Sequence, residues 1–187
     1  MIASTLHLPG LVLFEPKVFH DHRGYFFESF HQKRFEEAVG RPVQFVQDNQ
    51  SRSHHGVMRG LHFQVPPHAQ AKLIRVVQGQ ILDVVVDVRA GSPTFGQYAA
   101  VVLSEHNKKQ LFVPAGFAHG FVVQSESAEI CYRCDQYYAP AHEAGLHFAD
   151  PALGIDWQAP LDRIVASEKD LMLPMLAQFS TPFQFEG

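Results

Sequence analysis

Six short β-rich runs between residues 72 and 138 constrain this fold more than any other feature of the chain. Residues 72–77 (KLIRVV), 80–89 (QILDVVVDVR), 97–103 (QYAAVVL), 110–114 (QLFVP), 119–124 (HGFVVQ) and 129–138 (EICYRCDQYY) are dominated by β-branched and aromatic side chains, the types that fit a pleated surface. Turn-formers punctuate them: QG at 78–79, GSP at 91–93 and PAG at 114–116. Regular short strands with such breaks predict a double-sheet sandwich or barrel. Long helices do not alternate with the runs, so a parallel α/β fold is disfavoured.

The flanks read differently. Ser29 and Gln32 suggest a capping box, Phe35, Ala38 and Val39 an apolar helical stripe, and Gly40 with Pro42 its end. The tail from about residue 145 is irregular, apart from a short helix expected after Ser167 and closed by Pro174. A length of 187 residues suits one domain: an N-terminal arm over about 1–45, a β core over about 46–145 and a C-terminal wrap over about 146–187. A charged content of 18% and an apolar content of 46% are those of an ordinary globular protein. The formal charge of −4 argues against nucleic acid as a partner, because duplex binders carry a basic domain. A membrane is not expected either. The longest uncharged stretch, residues 110–125, is broken by Pro114, Gly116 and His119 and falls short of the roughly 18 apolar residues a span needs. The N-terminus lacks a basic start and a clean apolar run, so no signal peptide is expected. Two cysteines are too few for a disulfide framework, and the expected location is the cytoplasm.

Two stretches concentrate the chemistry. Residues 47–72 (QDNQSRSHHGVMRGLHFQVPPHAQAK) hold arginines, histidines and a lysine among turn-formers and read as a long functional loop. Residues 114–121 (PAGFAHGF) resemble a piece of the cupin pattern, in which the histidine is usually a metal ligand. The companion piece is incomplete: His62 is present, but Gln64 and Lys72 stand where further ligands belong. Two imidazoles lack the third ligand of a catalytic metal site, and a lysine ammonium repels a cation. No metal and no cofactor are therefore expected, and His62 is left available as a base. Cys131 and Cys134 share one predicted strand at a separation of three, which points them to opposite faces. In the same strand Tyr132 reads on its own as a packing residue. Asp170 reads as part of a helix cap in SEKD, or as a carboxylate that orients an imidazole.

Taken in order, FHDHRGYFFESF (19–30), QDNQSRSHHGVMRGLHFQ (47–64), KLIRVVQGQILDVVVDVR (72–89), SPTFG (92–96), LFVPAGFAHGF (111–121), CYRCDQYYAPAHEAG (131–145) and SEKD (167–170) resemble the dTDP-4-dehydrorhamnose 3,5-epimerases. The likeness runs from about residue 8 to 174, and its specificity lies in the combination of RGLHFQ, GFAHGF and SEKD. It implies an antiparallel jelly roll of the cupin type, a homodimer, no metal, and a dTDP-4-keto-6-deoxy sugar as substrate. By resemblance His62 is the base, Asp170 holds its imidazole, Tyr132 is the acid on the opposite face, and Lys72 stabilises an enolate oxygen. The same likeness places Arg23, Glu28, Gln47, Asp48, Asn49, Arg59, Lys72, His119, Glu143 and Lys169 around the substrate, with Arg23 and Glu28 serving the neighbouring subunit's site. Arg59 and His62 are three apart, so a regular strand would separate them; a bulge at Gly60 would bring them back together. Departures from the family pattern are His22, Phe148 and Ala149, none at an assigned catalytic position. The alternatives are a single-centre epimerase of a related sugar, a metal-dependent cupin and a non-catalytic sugar-binding cupin.

Overall fold

The computed structural model describes residues 1–186. Its strands are β1 (Ile2–Thr5), β2 (Val12–Glu15), β3 (Phe19–Asp21), β4 (Gly24–Phe26), β5 (Gln47–His54), β6 (Met58–Gln64), β7 (Lys72–Gln78), β8 (Gln80–Asp87), β9 (Tyr98–Ser104), β10 (Gln110–Val113), β11 (Phe117–Val123), β12 (Ser127–Cys134) and β13 (Glu143–Gly145). Two helices join them, α1 (Gln32–Val39) and α2 (Glu168–Leu171). The strands form a six-stranded sheet ordered β1-β2-β10-β7-β12-β5, a five-stranded sheet ordered β13-β6-β11-β8-β9, and a separate β3–β4 hairpin. Every pairing between these strands is antiparallel. Among the described residues, no helix is long and apolar enough to cross a membrane.

Strand alternation divides the apolar residues into three layers. Ile74, Val76, Leu111, Val113 and Ile130 of the larger sheet meet Ile81, Val85, Leu103, Phe117 and Phe121 of the smaller one, filling part of the space between them. The outer face of the smaller sheet, with Leu82, Val84, Val86 and Val122, is covered by the tail through Leu146, Phe148, Leu153, Trp157 and Phe183. The outer face of the larger sheet, with Val12, Phe14, Leu73 and Phe112, is covered by Phe35 of α1 and by Val43. Burial on both faces explains why QILDVVVD reads as an almost unbroken apolar run.

Three expectations change. The stretch 47–72 is not a loop: β5 closes one edge of the larger sheet, β6 lies in the smaller, and a short turn crosses between them. Its polar sequence hid β5, a strand with little apolar side chain on either face. The arm contains β1 to β4 besides its helix. Helix α1 begins at Gln32 with His31 as N-cap, not Ser29; the Gln32 side chain bonds Glu36 and the Val43 carbonyl instead. The helix ends as expected at Gly40, in the left-handed conformation, with its N–H on the Glu36 carbonyl.

Candidate active site

At one end the inter-sheet space is lined by polar groups. A cavity of about 460 Å³ there is bordered by Arg59, His62, Lys72, His119, Tyr132 and Asp170, among others. An outer chamber of about 330 Å³ shares His62, Lys72 and Tyr132 and adds Gln47, Asn49, Tyr138 and Glu143.

His62 projects from β6. Its Nε2 lies 2.6 Å from Asp170 Oδ1, and the carboxylate is almost fully buried beside a partly buried ring. Half of the capping box expected at SEKD is present: the Asp170 backbone N–H donates to Ser167 Oγ at 3.1 Å, while its side chain meets the imidazole instead of closing the box. Burial alone would raise the Asp170 pKa. The hydrogen bond and charge of His62, together with Ser167 and the Gly60 N–H, outweigh it and hold the carboxyl below its usual value. An anion is thus fixed against the imidazole.

His119 is the cross-strand neighbour of His62 on β11 and forms a second pair, Nε2 to Asp83 Oδ2 at 2.9 Å. Asp83 is fully buried. Lys72, at the start of β7, has its pKa lowered by burial, partly offset by the negative charge or potential of Cys134, Glu143 and Asp83. Burial is also the main cause raising the Tyr132 phenol, with Cys134 adding and Arg59 opposing. Its proton therefore stays on at neutral pH. Tyr132 comes from β12 of the larger sheet and His62 from β6 of the smaller, so the two groups enter one cavity from opposite walls.

The bulge anticipated at Gly60 is present. His62 pairs with His119 and Arg59 with Phe121, so Gly60 and Leu61 stand opposite Gly120 alone and both Arg59 and His62 line the cavity. Gly60 has φ 125°, and a Cβ there would lie 2.5 Å from Gly120 Cα and 2.7 Å from the His119 carbonyl oxygen. Gly60→Ala is expected to lower kcat by ~10²-fold, the order that a 1 Å misplacement costs, and to lower the melting temperature. Steady-state rates and thermal melts check both.

The remaining substrate candidates divide. Arg59 Nε donates to Ser53 Oγ at 3.0 Å. Gln47 bonds Asn49 and accepts the Tyr138 N–H. Glu143 accepts from Lys169 and from the Tyr138 hydroxyl; those two bonds hold its carboxyl low against the raising effect of burial. Asp48 sits between Gln47 and Asn49 in sequence but faces the other side of the sheet, toward Arg133. Arg23 and Glu28 line neither chamber: Arg23, on the exposed hairpin, bonds Asp21, and Glu28 pairs with Arg34. Gln64, read as standing in a ligand position, clamps loops instead through the carbonyls of His68 and Tyr137 and the N–H of Ala139. Sequence reading passed over Asp83, Tyr138 and Ser53. A lone carboxylate amid QILDVVV was a usable sign for Asp83, since a charge inside an apolar strand needs a partner.

The sequence profile of the dTDP-4-dehydrorhamnose 3,5-epimerases matches residues 5–178. The chain belongs to this family. A dTDP-4-dehydrorhamnose 3,5-epimerase of Pseudomonas aeruginosa is 56% identical over 171 residues, 91% of this chain and 93% of its own. The crystal structure of dTDP-6-deoxy-D-glucose-3,5-epimerase from Legionella pneumophila, in complex with dTDP-4-keto-L-rhamnose, is 43% identical with a TM-score of 0.94. That match covers 100% of this chain and 99% of that one, and it establishes the two sheets as the cupin jelly roll of the epimerase family. A dTDP-4-dehydrorhamnose 3-epimerase of Streptomyces niveus is 39% identical over 173 residues, 92% of this chain and 84% of its own.

Proposed function

We propose that the cavity between the sheets is where this dTDP-4-dehydrorhamnose 3,5-epimerase inverts C3 and C5 of dTDP-4-dehydro-6-deoxy-D-glucose, giving dTDP-4-dehydro-L-rhamnose. The observation that carries the assignment of roles is the placement of His62 and Tyr132 on opposite walls with Lys72 lining the same space. Both carbons flank the C4 ketone, so loss of either proton leaves an enolate. His62 takes the proton, Asp170 stabilises the resulting imidazolium, and the Lys72 ammonium stabilises charge on the C4 oxygen. Tyr132 then gives its phenolic proton to the other face of the carbon, and proton exchange with solvent resets both groups. Incubation in deuterated water tests this directly: deuterium should enter at both C3 and C5. Label at one carbon only would support the second reading, a single-centre epimerase, which the Streptomyces niveus 3-epimerase keeps in view.

Tyr132→Phe separates the acid from the base. Proton removal by His62 should continue, so deuterium still enters with retained configuration, while inverted product falls by ~10²-fold. Product NMR distinguishes retention from inversion. The same reading makes the molecule a homodimer in which the β3–β4 hairpin serves the partner's cavity. Supporting it, Phe19, Tyr25 and Phe26 are exposed on that hairpin, beside an Arg23 that lies away from its own chain's cavity.

A further inference from the structure

Along β5 the side chains of Gln47, Asn49, Ser51 and Ser53 share one face, at the strand period of two. Gln47 bonds Asn49 and the Tyr138 N–H. Asn49 Nδ2 donates to Cys134 Sγ at 3.7 Å, and Ser53 Oγ accepts from Arg59. Ser51 alone breaks the series. Among the described residues, the buried side-chain polar atoms without a hydrogen-bond partner are Ser51 Oγ and Asp83 Oδ1. Asp83 is otherwise engaged by His119, whereas Ser51 makes no side-chain hydrogen bond at all. Buried hydroxyls in native proteins normally have partners, and one that lacks them asks for an explanation.

Its position narrows the explanation. Ser51 lines the inner cavity with His62 and Tyr132 and takes no part in the outer chamber of Gln47, Tyr138 and Glu143. Its cross-strand partner is Ile130, and the nearby arginine is turned to Ser53. A neutral hydroxyl against an isoleucine is a poor grip for a phosphate, which attracts charged donors. It suits a neutral group that both donates and accepts, as a sugar hydroxyl does.

We propose that Ser51 is a substrate-contact residue whose hydroxyl bonds a ring hydroxyl of the sugar, on the reacting side of the pyrophosphate. The inference rests on the cavity being the nucleotide-sugar site. Asn49 and Ser53, tied to their own partners on either side, leave Ser51 as the free hydrogen-bonding position of that strand face. Its contribution falls on the sugar and not on the nucleotide.

Calorimetric titration with dTDP and with dTDP-glucose tests this. The second ligand carries sugar hydroxyls but lacks the C4 ketone, so it binds without reacting. Ser51→Ala should weaken dTDP-glucose by about 2–10-fold, the size of one neutral hydrogen bond, and leave dTDP unchanged. Equal weakening of both ligands would overturn the proposal in favour of a nucleotide or folding role. No change in either would overturn it in favour of a buried hydroxyl that the ligand does not reach. Ser51→Thr, which keeps the hydroxyl, should retain more of the dTDP-glucose affinity than the alanine variant; equal losses in the two count against a hydrogen bond. If the unaltered protein binds neither ligand, the site assignment itself has failed, an outcome separate from any effect of Ser51.

Discussion

Replacing His62 with alanine is expected to slow deuterium entry at both C3 and C5 by ~10²–10⁴-fold, the range that a positioned general base supplies. One imidazole would serve both carbons, because each proton to be removed lies next to the same C4 ketone. A loss at one carbon alone would mean that a second base acts at the other. His119 would then be the group to test, since it stands across from His62 with a buried carboxylate of its own. Asp170→Asn should cost less than His62→Ala: an amide can still hold the ring through a hydrogen bond but does not balance the imidazolium. The linkage has a definite sign. Asp170's folded pKa lies below its unfolded value, so the pair contributes stability that is present above the unfolded carboxylate pKa, about 3.9. That stability is lost as pH falls through the lower folded value. Docking of α2 on β6 should therefore weaken in acid, as this carboxylate takes up its proton. Melting temperatures of the parent and of Asp170→Asn, compared from pH 7 downward, should converge only below about pH 4.

How much of this was legible in the sequence differs residue by residue. The strand period and turn chemistry of residues 72–134 are local, and those strands lie close to where the pattern predicts them. Even so, β12 runs from Ser127 to Cys134 rather than on to Tyr138. Strand β5 was illegible for a physical reason. Gln47, Asn49, Ser51 and Ser53 face a polar cavity while Asp48, Gln50 and Arg52 face outward, so the strand has no apolar stripe to betray it. The adjacent letters QDN looked like one binding cluster, but alternation turns Asp48 away from its neighbours. Spacing alone made Asp170 a helix cap, and the resemblance paired it with His62. The fold reconciles the two, because capping uses its backbone N–H and pairing its carboxylate. The His119–Asp83 pair was hidden in a different way. It joins residues 36 positions apart, and no local pattern specifies which buried carboxylate meets which imidazole. Gly60 was readable only as a parity conflict between Arg59 and His62, and the bulge resolves that conflict at the one place where a missing Cβ permits close approach to Gly120.

Lys72→Met should lower kcat by ~10²–10³-fold, the scale on which losing one fixed electrostatic donor acts, while nucleotide affinity changes little. The reason is timing: negative charge reaches the C4 oxygen only as a proton leaves C3 or C5, so the ammonium matters most in the transition state. Lys72→Arg should not restore the rate, because a bulkier planar fork does not place its charge where the compact ammonium stood. The pH dependence follows from the direction of the shift. Burial lowers the Lys72 pKa from its usual value, and catalysis needs the charged form. Activity should accordingly be lost as pH rises through a value below the ordinary lysine pKa of about 10.4. Stability runs the other way. A lysine whose folded pKa is depressed disfavours the folded state at pH values below that pKa, and the penalty disappears above the unfolded value. Lys72→Met should therefore melt no lower than the parent at neutral pH while losing nearly all turnover, a separation that simple misfolding cannot produce. A variant that lost rate and melting temperature together would instead make Lys72 a structural residue and move enolate stabilisation to Arg59 or His119. Thermal melts and a kcat profile from pH 6 to 10 decide between them.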